Sequence, residues 1–239
     1  NNLIIAITGG SGFIGKSLAL EHLSMGDTVR VLSRKNVNKN SGIDFFIGDL
    51  TDENVNLSDF LSSVDIFYNC AGELIDKSIM YELHVNGTSR IIKESNGNIK
   101  KWVQLSSVGA YGAMSSDLVN EFHMEKPSGQ YEITKTISDD LVKASDIPYV
   151  ILRPSTVFSR LMKNQSLFSL INHVNAGRFF YIGSRVKLNY VHVDDVIEAL
   201  YKCGEADKAL GKTYNLSQTT SVENMVNSFL IGLGIERRF

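Results

Sequence analysis

Short apolar runs alternate with segments of helical periodicity along the first part of the chain. Residues 3–7 form an apolar run that leads into glycines, and residues 13–25 then carry apolar side chains at helical spacing up to Gly26. Further strands are predicted at residues 28–32, 43–47, 64–68, 102–105 and 149–152, and longer helices at about 78–95 and 128–144. This alternation predicts an α/β fold with helices on both faces of a doubly wound parallel sheet of the Rossmann type.

The pattern changes after Pro154. The later segments predict a helix near residues 166–176, short strands near 179–182 and 188–191, and a helix at about 193–203. We therefore predict a Rossmann domain over residues 1–154, which also receives later segments, and a small C-terminal substrate-binding lobe over 155–239. The chain begins without methionine and ends abruptly, which leaves open whether either end is complete.

The composition favours a small-molecule partner over nucleic acid or a membrane. The 239 residues are 43% hydrophobic and carry a formal net charge of -2, so no broad basic surface is expected. No apolar run approaches the roughly 18 residues of a membrane helix, and no signal-peptide pattern precedes the first strand. Cys70 and Cys203 lack metal-ligand spacing. We expect a soluble, cytoplasmic protein without a metal.

A glycine-rich turn follows the first predicted strand. Residues 8–15 read TGGSGFIG and contain the G-x-G-x-x-G pattern. Glycines allow the tight turn and let the backbone approach a pyrophosphate, while the start of the following helix offers free N–H groups to the anion. The position between a strand and a helix predicts dinucleotide binding. A glycine-rich loop without a ligand is the alternative.

The end of the second strand bears on the choice between NADP and NAD. An NAD-binding protein usually places a carboxylate there for the ribose 2′-hydroxyl, whereas this chain has Ser33, Arg34 and Lys35. A serine and a guanidinium suit a 2′-phosphate, so NADP(H) is predicted, with NAD(H) as the alternative. The alternative is that Arg34 and Lys35 are solvated loop charges. Asp49 is expected along the adenine edge, or as a helix cap.

Tyr131 and Lys135 stand four residues apart on a predicted helix and therefore share one face. A tyrosine has a reference pKa of ~10, and Lys135 and an oxidised nicotinamide could lower it far enough for acid–base chemistry near pH 7. Ser107 would donate a hydrogen bond to the substrate oxygen. Taken alone, a tyrosine and a lysine at this spacing usually form a surface pair.

At this point the sequence resembles the extended short-chain dehydrogenase/reductase family, which includes sugar-nucleotide epimerases, dehydratases and reductases. The resemblance covers residues 4 to about 217. It rests on the motifs TGGSGFIG at 8–15, GDL at 48–50, NCAG at 69–72, SSVGAYG at 106–112, Tyr131 with Lys135, LRP at 152–154, and YVHVDD at 190–195.

The resemblance implies roles for individual residues. It makes Ser107, rather than Ser106, the catalytic hydroxyl beside Tyr131 and Lys135, and it places Tyr111 near the substrate. It also implies a dimer through the two long helices. The cofactor-binding residues predicted from the turn and the resemblance together are Gly9, Gly10, Ser11, Gly12, Phe13, Ile14, Gly15, Ser33, Arg34, Lys35, Asp49, Leu50, Cys70, Ala71, Gly72, Tyr131, Lys135, Pro154 and Ser155.

The chain also departs from the pattern of the family. His84 replaces the asparagine of the usual Asn-Val-x-Gly-Thr segment, and Leu188 stands where sugar-nucleotide enzymes often have an arginine. Arg185 or Lys187 could substitute for that arginine. In the YVHVDD segment, Asp194 and Asp195 are expected to cap the following helix, and His192 is expected to be structural.

Three functions remain open from the sequence. The first is an NADP(H)-dependent oxidoreductase that transfers hydride to or from a carbonyl or secondary alcohol of a small molecule, which could be a sugar derivative. The second is a nucleotide-sugar epimerase or dehydratase with a tightly bound cofactor, for which Glu73, Tyr81 and Glu121 are candidate extra acid–base groups. The third is a non-catalytic NADP-binding sensor or accessory subunit.

Overall fold

The computed structural model describes residues 2–35, 41–113, 118–160, 166–180 and 186–235. The helices and strands are, in chain order, β1 (Ile4–Thr8), α1 (Phe13–Ser24), β2 (Thr28–Ser33), β3 (Asp44–Ile47), α2 (Ser58–Leu61), β4 (Val64–Asn69), α3 (Lys77–Tyr81), α4 (Gly87–Ser95), β5 (Ile99–Leu105), α5 (Gln130–Ala144), β6 (Tyr149–Pro154), β7 (Thr156–Phe158), α6 (Ser166–Asn175), β8 (Lys187–His192), α7 (Val193–Glu205), β9 (Lys212–Leu216), β10 (Gln218–Ser221) and α8 (Val222–Leu233).

Seven of these strands form one parallel sheet in the order β3-β2-β1-β4-β5-β6-β9. Its central strands are continuous apolar runs because both faces are covered: Ile5 and Ile7 face the core with α1 and α7, whereas Ala6 faces the core on the opposite side. All three side chains are fully buried. The predicted fold class, a doubly wound α/β sheet, is confirmed.

The strand order reverses between β1 and β4, which are neighbours in the sheet and lead to opposite edges. The loops that leave their carboxyl ends therefore diverge and open a crevice, the usual ligand position in this class of fold. The glycine-rich turn follows β1, and residues 70–72 follow β4. The sheet thus brings together two motifs about 60 residues apart in the sequence.

A three-stranded sheet in the order β10-β8-β7 accompanies the main sheet. An apolar cluster of Val174, Val226 and Leu230 joins α6 to α8. The predicted strand at 179–182 is wrong for Phe179 and Phe180, which lie outside any strand, and Phe179 packs against this cluster. Residues 181–182 lie outside the described ranges. The division of the chain at 154/155 stays a prediction.

The long helix predicted at 78–95 is interrupted by a π-helical turn at Glu82–Asn86, between α3 and α4. One inserted residue in a helix changes the direction in which the side chains point, and such turns are frequent at functional sites. This turn carries His84, one of the two positions at which the sequence departs from the pattern of the family it resembles.

The prediction that Asp194 and Asp195 cap a helix is wrong. His192 is the N-cap of α7, because its side chain accepts a hydrogen bond from the backbone N–H of Asp194 at 3.3 Å. The two aspartates lie in the first turn, where their charges favour the positive end of the helix dipole. His192 is therefore structural, as expected. Within the described ranges, no helix has the length and apolar character needed to span a membrane.

Candidate functional site

The glycine-rich turn leaves no room for side chains. A Cβ at Gly9, whose φ is +68°, would lie 2.6 Å from the carbonyl oxygen of Cys70, and one at Gly15 would lie 2.5 Å from that of Gly9. At Gly10 the nearest atom is a Val31 methyl group, also at 2.6 Å. Gly9 and Gly15 therefore allow close approach of β1, α1 and the loop after β4, while Gly10 packs on β2.

The start of α1 is open to an anion. Gly12 is the N-cap, and no side chain among the described residues caps the first turn of the helix. Gly12 itself lines the crevice, and the unpaired N–H groups and positive dipole end at the start of a helix favour an anion there. Ile14 packs into the core, so its part in the turn is structural.

The crevice at the strand-order reversal has a volume of about 280 Å³. Ten predicted cofactor-binding residues line it: Gly9, Ser11, Gly12, Ser33, Arg34, Asp49, Leu50, Cys70, Ala71 and Gly72. Sequence reasoning missed seven more, namely Thr8, Leu32, Gly48, Thr51, Glu73, Ile79 and Leu83. The remaining predicted cofactor residues lie outside its wall: Gly10, Phe13, Ile14, Gly15, Lys35, Tyr131, Lys135, Pro154 and Ser155. The glycine turn and the polar groups around it fit a dinucleotide.

Residues 33–35, at the end of β2, include the guanidinium of Arg34 and no carboxylate. Ser33 is buried and closes a turn, since its Oγ donates to the carbonyl oxygen of Lys35 at 2.9 Å and accepts from the Lys35 N–H at 3.3 Å. Arg34 is exposed and lines the crevice. Asp49 also lines it, but its Oδ1 is engaged with the N–H and hydroxyl of Thr51, at 2.9 and 2.8 Å.

A second cavity of about 330 Å³ lies beside the ends of β5 and β6. Its wall is mainly neutral hydrogen-bonding and apolar side chains: Val108, Tyr111, Leu118, Val119, Ser155, Asn189, Asn215, Ser217 and Thr219, together with Gly112. The Tyr111 hydroxyl donates to Asn215 Oδ1 at 3.0 Å. Ser155 lines this cavity, and its buried Oγ has no hydrogen-bond partner within the described residues.

Tyr131 and Lys135 share one face of α5, as predicted, with Lys135 buried. The positive charge of Lys135 acts on Cys70 in the cofactor crevice. Burial lowers the pKa of Lys135, opposed by Asp139 and Cys70. Burial also raises the pKa of Tyr131 to about 12, with smaller contributions from Glu132 and Asp139. The side chains of the protein itself therefore hold the phenol protonated.

Ser107 lies at the carboxyl end of β5, where it caps a short 3₁₀ turn. Its Oγ accepts a hydrogen bond from the N–H of Gly109 at 3.1 Å, which leaves the hydroxyl hydrogen free to donate. Ser107 is only partly buried, whereas Ser106 is buried and points to Asp139. The family resemblance thus selects the less buried of the two serines.

His84 links the cofactor loop to the helix that carries Tyr131. Its Nε2 accepts from the N–H of Glu73 at 2.9 Å, so Nδ1 carries the hydrogen and donates to Thr134 Oγ1 at 2.8 Å. Burial and the charge of Lys135 lower the pKa of His84 to about 3, so the ring is neutral. The ring also contacts that of Tyr131 edge-on, with centroids 5.6 Å apart.

The candidate extra acid–base groups are engaged elsewhere or exposed. Glu73 accepts from the N–H groups of Ile75 and Asp76, which lowers its pKa, and Glu121 accepts from the N–H of Asn215 at 2.8 Å. Tyr81 is half exposed at the end of α3. Of the proposed arginine substitutes, Arg185 lies outside the described ranges and Lys187 lies in β8.

Comparison with known proteins finds a family whose model matches most of this chain. The family model for the NAD dependent epimerase/dehydratase family matches residues 5–217. An uncharacterized protein, y4nG, of Sinorhizobium fredii is 30% identical over 224 residues, which cover 88% of this chain and 55% of that protein. A UDP-glucose 4-epimerase of Halalkalibacterium halodurans is 29% identical over 168 residues, 63% of this chain and 50% of the relative. The chain thus spans about half the length of these two relatives.

Among solved structures, the enzyme WbmG of Bordetella bronchiseptica in complex with NAD and UDP superposes with a TM-score of 0.82. The likeness covers 100% of this chain and 81% of WbmG at 19% sequence identity. At this identity the comparison shows a shared fold.

Proposed function

Because the chain belongs to the NAD dependent epimerase/dehydratase family, we propose that it is an NADP(H)-dependent oxidoreductase acting on a carbonyl or secondary alcohol. One observation carries the proposal. The loop at residues 70–73 lines the dinucleotide crevice, and His84 ties the same loop to the helix that bears Tyr131 and Lys135. This link supports a shared site for the redox cofactor and the proposed acid–base pair.

In the proposed complex, the glycine-rich turn and the start of α1 hold the pyrophosphate, and Ser155 Oγ supplies a hydrogen bond at the nicotinamide end. The bound nicotinamide would exchange a hydride with the substrate carbon and, when oxidised, add a positive charge to the site. Pro154 helps to set the position of Ser155 at the end of β6.

Tyr131 is the proposed proton donor and acceptor. During reduction its phenol gives a proton to the substrate oxygen, and during oxidation the phenolate takes the proton back. Lys135 stabilises the phenolate by its charge, and the Ser107 hydroxyl donates a hydrogen bond to the same substrate oxygen. Since burial holds the pKa of Tyr131 at about 12, the phenol is protonated near neutral pH, which suits its proposed role as the proton donor in reduction.

The preference for NADP(H) over NAD(H) is part of the proposal. Arg34 is exposed in the crevice wall, and Ser33 offers no carboxylate to a ribose 2′-hydroxyl. A guanidinium can form two hydrogen bonds with a phosphate, and its charge discriminates against the hydroxyl.

The proposed substrate site is the second cavity. The described residues in its wall offer amide and hydroxyl groups and no charged side chain, which suits an uncharged carbonyl compound with hydroxyl groups. A nucleotide-sugar epimerase is the second candidate, favoured by the relative named a UDP-glucose 4-epimerase and by the UDP complex of WbmG.

The test is an assay of purified protein with NADPH or NADH and a panel of carbonyl compounds, secondary alcohols and nucleotide sugars. We expect net oxidation of NADPH with a carbonyl compound, and loss of at least about a hundredfold in kcat in Tyr131→Phe. Interconversion of nucleotide sugars without net cofactor turnover would identify the epimerase instead. Cofactor binding without turnover by any member of the panel would favour the accessory subunit and contradict the oxidoreductase.

We also propose that the chain forms a homodimer. α3 and α5 pack side by side and leave Tyr81 51% and Ile133 39% exposed. Light scattering of the protein as it elutes from a size-exclusion column should give a molecular mass twice that of one chain, which is 26.5 kDa. A monomer at micromolar protein concentration would refute the dimer.

A further inference from the structure

Asp139 joins three segments of the candidate site through one oxygen atom. Its Oδ2 accepts hydrogen bonds from Ser106 Oγ at 2.7 Å and from Arg153 Nη2 and Nε at 2.9 and 3.2 Å. Ser106 directly precedes Ser107, and Arg153 lies two residues before Ser155. Asp139 itself lies one turn beyond Lys135 on α5. A single carboxylate therefore fixes β5, β6 and α5 relative to one another.

The carboxylate is held in a buried network of charges. Asp139 is 0% exposed and Arg153 1% exposed. Arg153 also donates to Glu125 Oε1 at 2.7 Å, and Glu125 in turn pairs with Lys143 at 3.2 Å. The guanidinium carbon of Arg153 lies 5.2 Å from the centre of the Tyr111 ring, on the wall of the second cavity. The network thus extends from α5 to the proposed substrate site.

Stability alone is a weak reason for such an arrangement. A buried ion pair often contributes no more to stability than apolar side chains of the same volume would, because both charges must be desolvated. The second oxygen of Asp139 is buried without a hydrogen-bond partner in the described part of the chain, which adds to that cost. A role in the geometry of the site explains why the carboxylate is present.

We propose that Asp139 is a positioning residue that sets the placement of Ser107 relative to Lys135 and supplies the negative charge that controls proton loss from the Tyr131–Lys135 pair. The assignment rests on the proposed function of Tyr131 as the acid–base group. Asp139 acts on that group through Lys135 and through the hydrogen bonds to β5 and β6.

The other charged and titratable groups around the pair do not replace Asp139. From α5 itself, Glu132 lies next to Tyr131; from the π-helical turn, neutral His84 contacts the Tyr131 ring; and from the loop after β4, Cys70 lies near Lys135. Arg153 faces Asp139 from β6. The negative charge of Asp139 favours the protonated forms of both Tyr131 and Lys135.

The first experiment removes this charge and leaves the shape of the side chain. Protein labelled with [13Cζ]tyrosine and [13Cε]lysine is titrated by NMR, with Tyr131→Phe and Lys135→Met identifying the two resonances. In Asp139→Asn, Tyr131 should lose its proton at a pH lower by about one unit, the shift expected for a charge ~12 Å away along the helix at an effective dielectric constant of ~20. Lys135, only ~6 Å along the helix from the charge, should shift in the same direction by about two units.

Asp140→Asn is the matched control. It removes the same charge from the next position of the same helix, but the Asp140 side chain is 64% exposed and pairs with Lys143, so the titration of the pair should stay unchanged. If the role of Asp139 were purely structural, Asp139→Asn would lower the melting temperature but leave the pH at which the Tyr131–Lys135 pair titrates unchanged. An unchanged titration in folded Asp139→Asn overturns the proposal.

If Asp139→Asn does not fold, the Ser106→Ala variant is used for the test instead. It removes only the hydrogen bond between Asp139 and β5, so the Tyr131 [13Cζ] resonance should move while the NADPH dissociation constant stays within about twofold. A resonance at its wild-type position would overturn the proposal. Because the NMR titration needs no cofactor or substrate, a protein that shows these shifts but binds no NADPH would refute the proposed function and not the role of Asp139.

Discussion

Individual side chains decide which cofactor the crevice prefers. The Ser33 hydroxyl is engaged in a turn and Asp49 Oδ1 is engaged by Thr51. Of the exposed residues Arg34 and Lys35 at the end of β2, Arg34 lines the crevice. The proposed preference for NADP(H) therefore depends on this one guanidinium. WbmG, which shares the fold, is described in complex with NAD.

Arg34→Ala should weaken NADPH binding by roughly ten- to a hundredfold, the effect of one charge-assisted contact with a 2′-phosphate, and should leave NADH binding unchanged. Titration of each cofactor followed by nicotinamide fluorescence measures both constants. Arg178→Ala, an exposed arginine outside the crevice, is the matched control and should bind like wild type. Equal weakening of NADH and NADPH by Arg34→Ala would disprove recognition of the 2′-phosphate.

The neutral His84 should make the fold sensitive to acid. Its pKa is about 3 in the folded protein and near 6.5 in the unfolded chain, so the unfolded state binds one more proton between these values. Stability should therefore fall as the pH drops from about 6.5 towards 3, by up to about 1.4 kcal/mol per pH unit for this residue.

Urea unfolding of wild type and His84→Asn at several pH values measures this dependence. The variant should lose less stability on acidification than wild type does. His22, whose pKa is lowered by burial, contributes with the same sign in both proteins, so part of the dependence should remain. Equal pH slopes for the two proteins would mean that His84 is not held neutral by the fold.

At the scale of elements, the sequence pattern predicted the six main-sheet strands β1 to β6. Five of them are largely buried, whereas β3 is a partly exposed edge strand that follows β2 with no helix between them in the described residues. The short strands β7, β9 and β10 were missed because they are partly exposed and rich in polar residues, so they lack a continuous apolar run. α8 was also missed, although Ser221 caps it through the N–H of Asn224.

Glycines in two helices should respond to substitution in opposite directions. Gly204 in α7 is buried against β4, and a Cβ there would overlap with the Tyr68 hydroxyl, whereas Gly232 in α8 has open space. Gly204→Ala should lower the free energy of unfolding by about 1–3 kcal/mol because the added methyl group overpacks the site. Gly232→Ala should raise the free energy of unfolding by about 0.5–1 kcal/mol because alanine favours a helix more than glycine does. Denaturant unfolding of both variants compares them. A neutral Gly204→Ala would show that α7 does not pack so closely on the sheet.

At the scale of the whole molecule, the site is assembled from distant parts of the chain. The glycine-rich turn could be found from the sequence because its spacing is local. Asn189, Asn215 and Thr219 in the second cavity could not, because exposed polar residues on short strands give no signal until the strands are placed. The predictions of the family, the fold class and an enzyme of this family are confirmed. The catalytic residues and the NADP preference stay predictions.

Nicotinamide-dependent hydride transfer requires that a nicotinamide dinucleotide binds in the crevice between the loops that follow β1 and β4. The decisive measurement is the titration of the purified wild-type protein with NADPH and with NADH, followed by nicotinamide fluorescence. We expect saturable binding of both, with NADPH at least about tenfold tighter. If neither cofactor binds to the folded protein, the central claim of nicotinamide-dependent hydride transfer is contradicted.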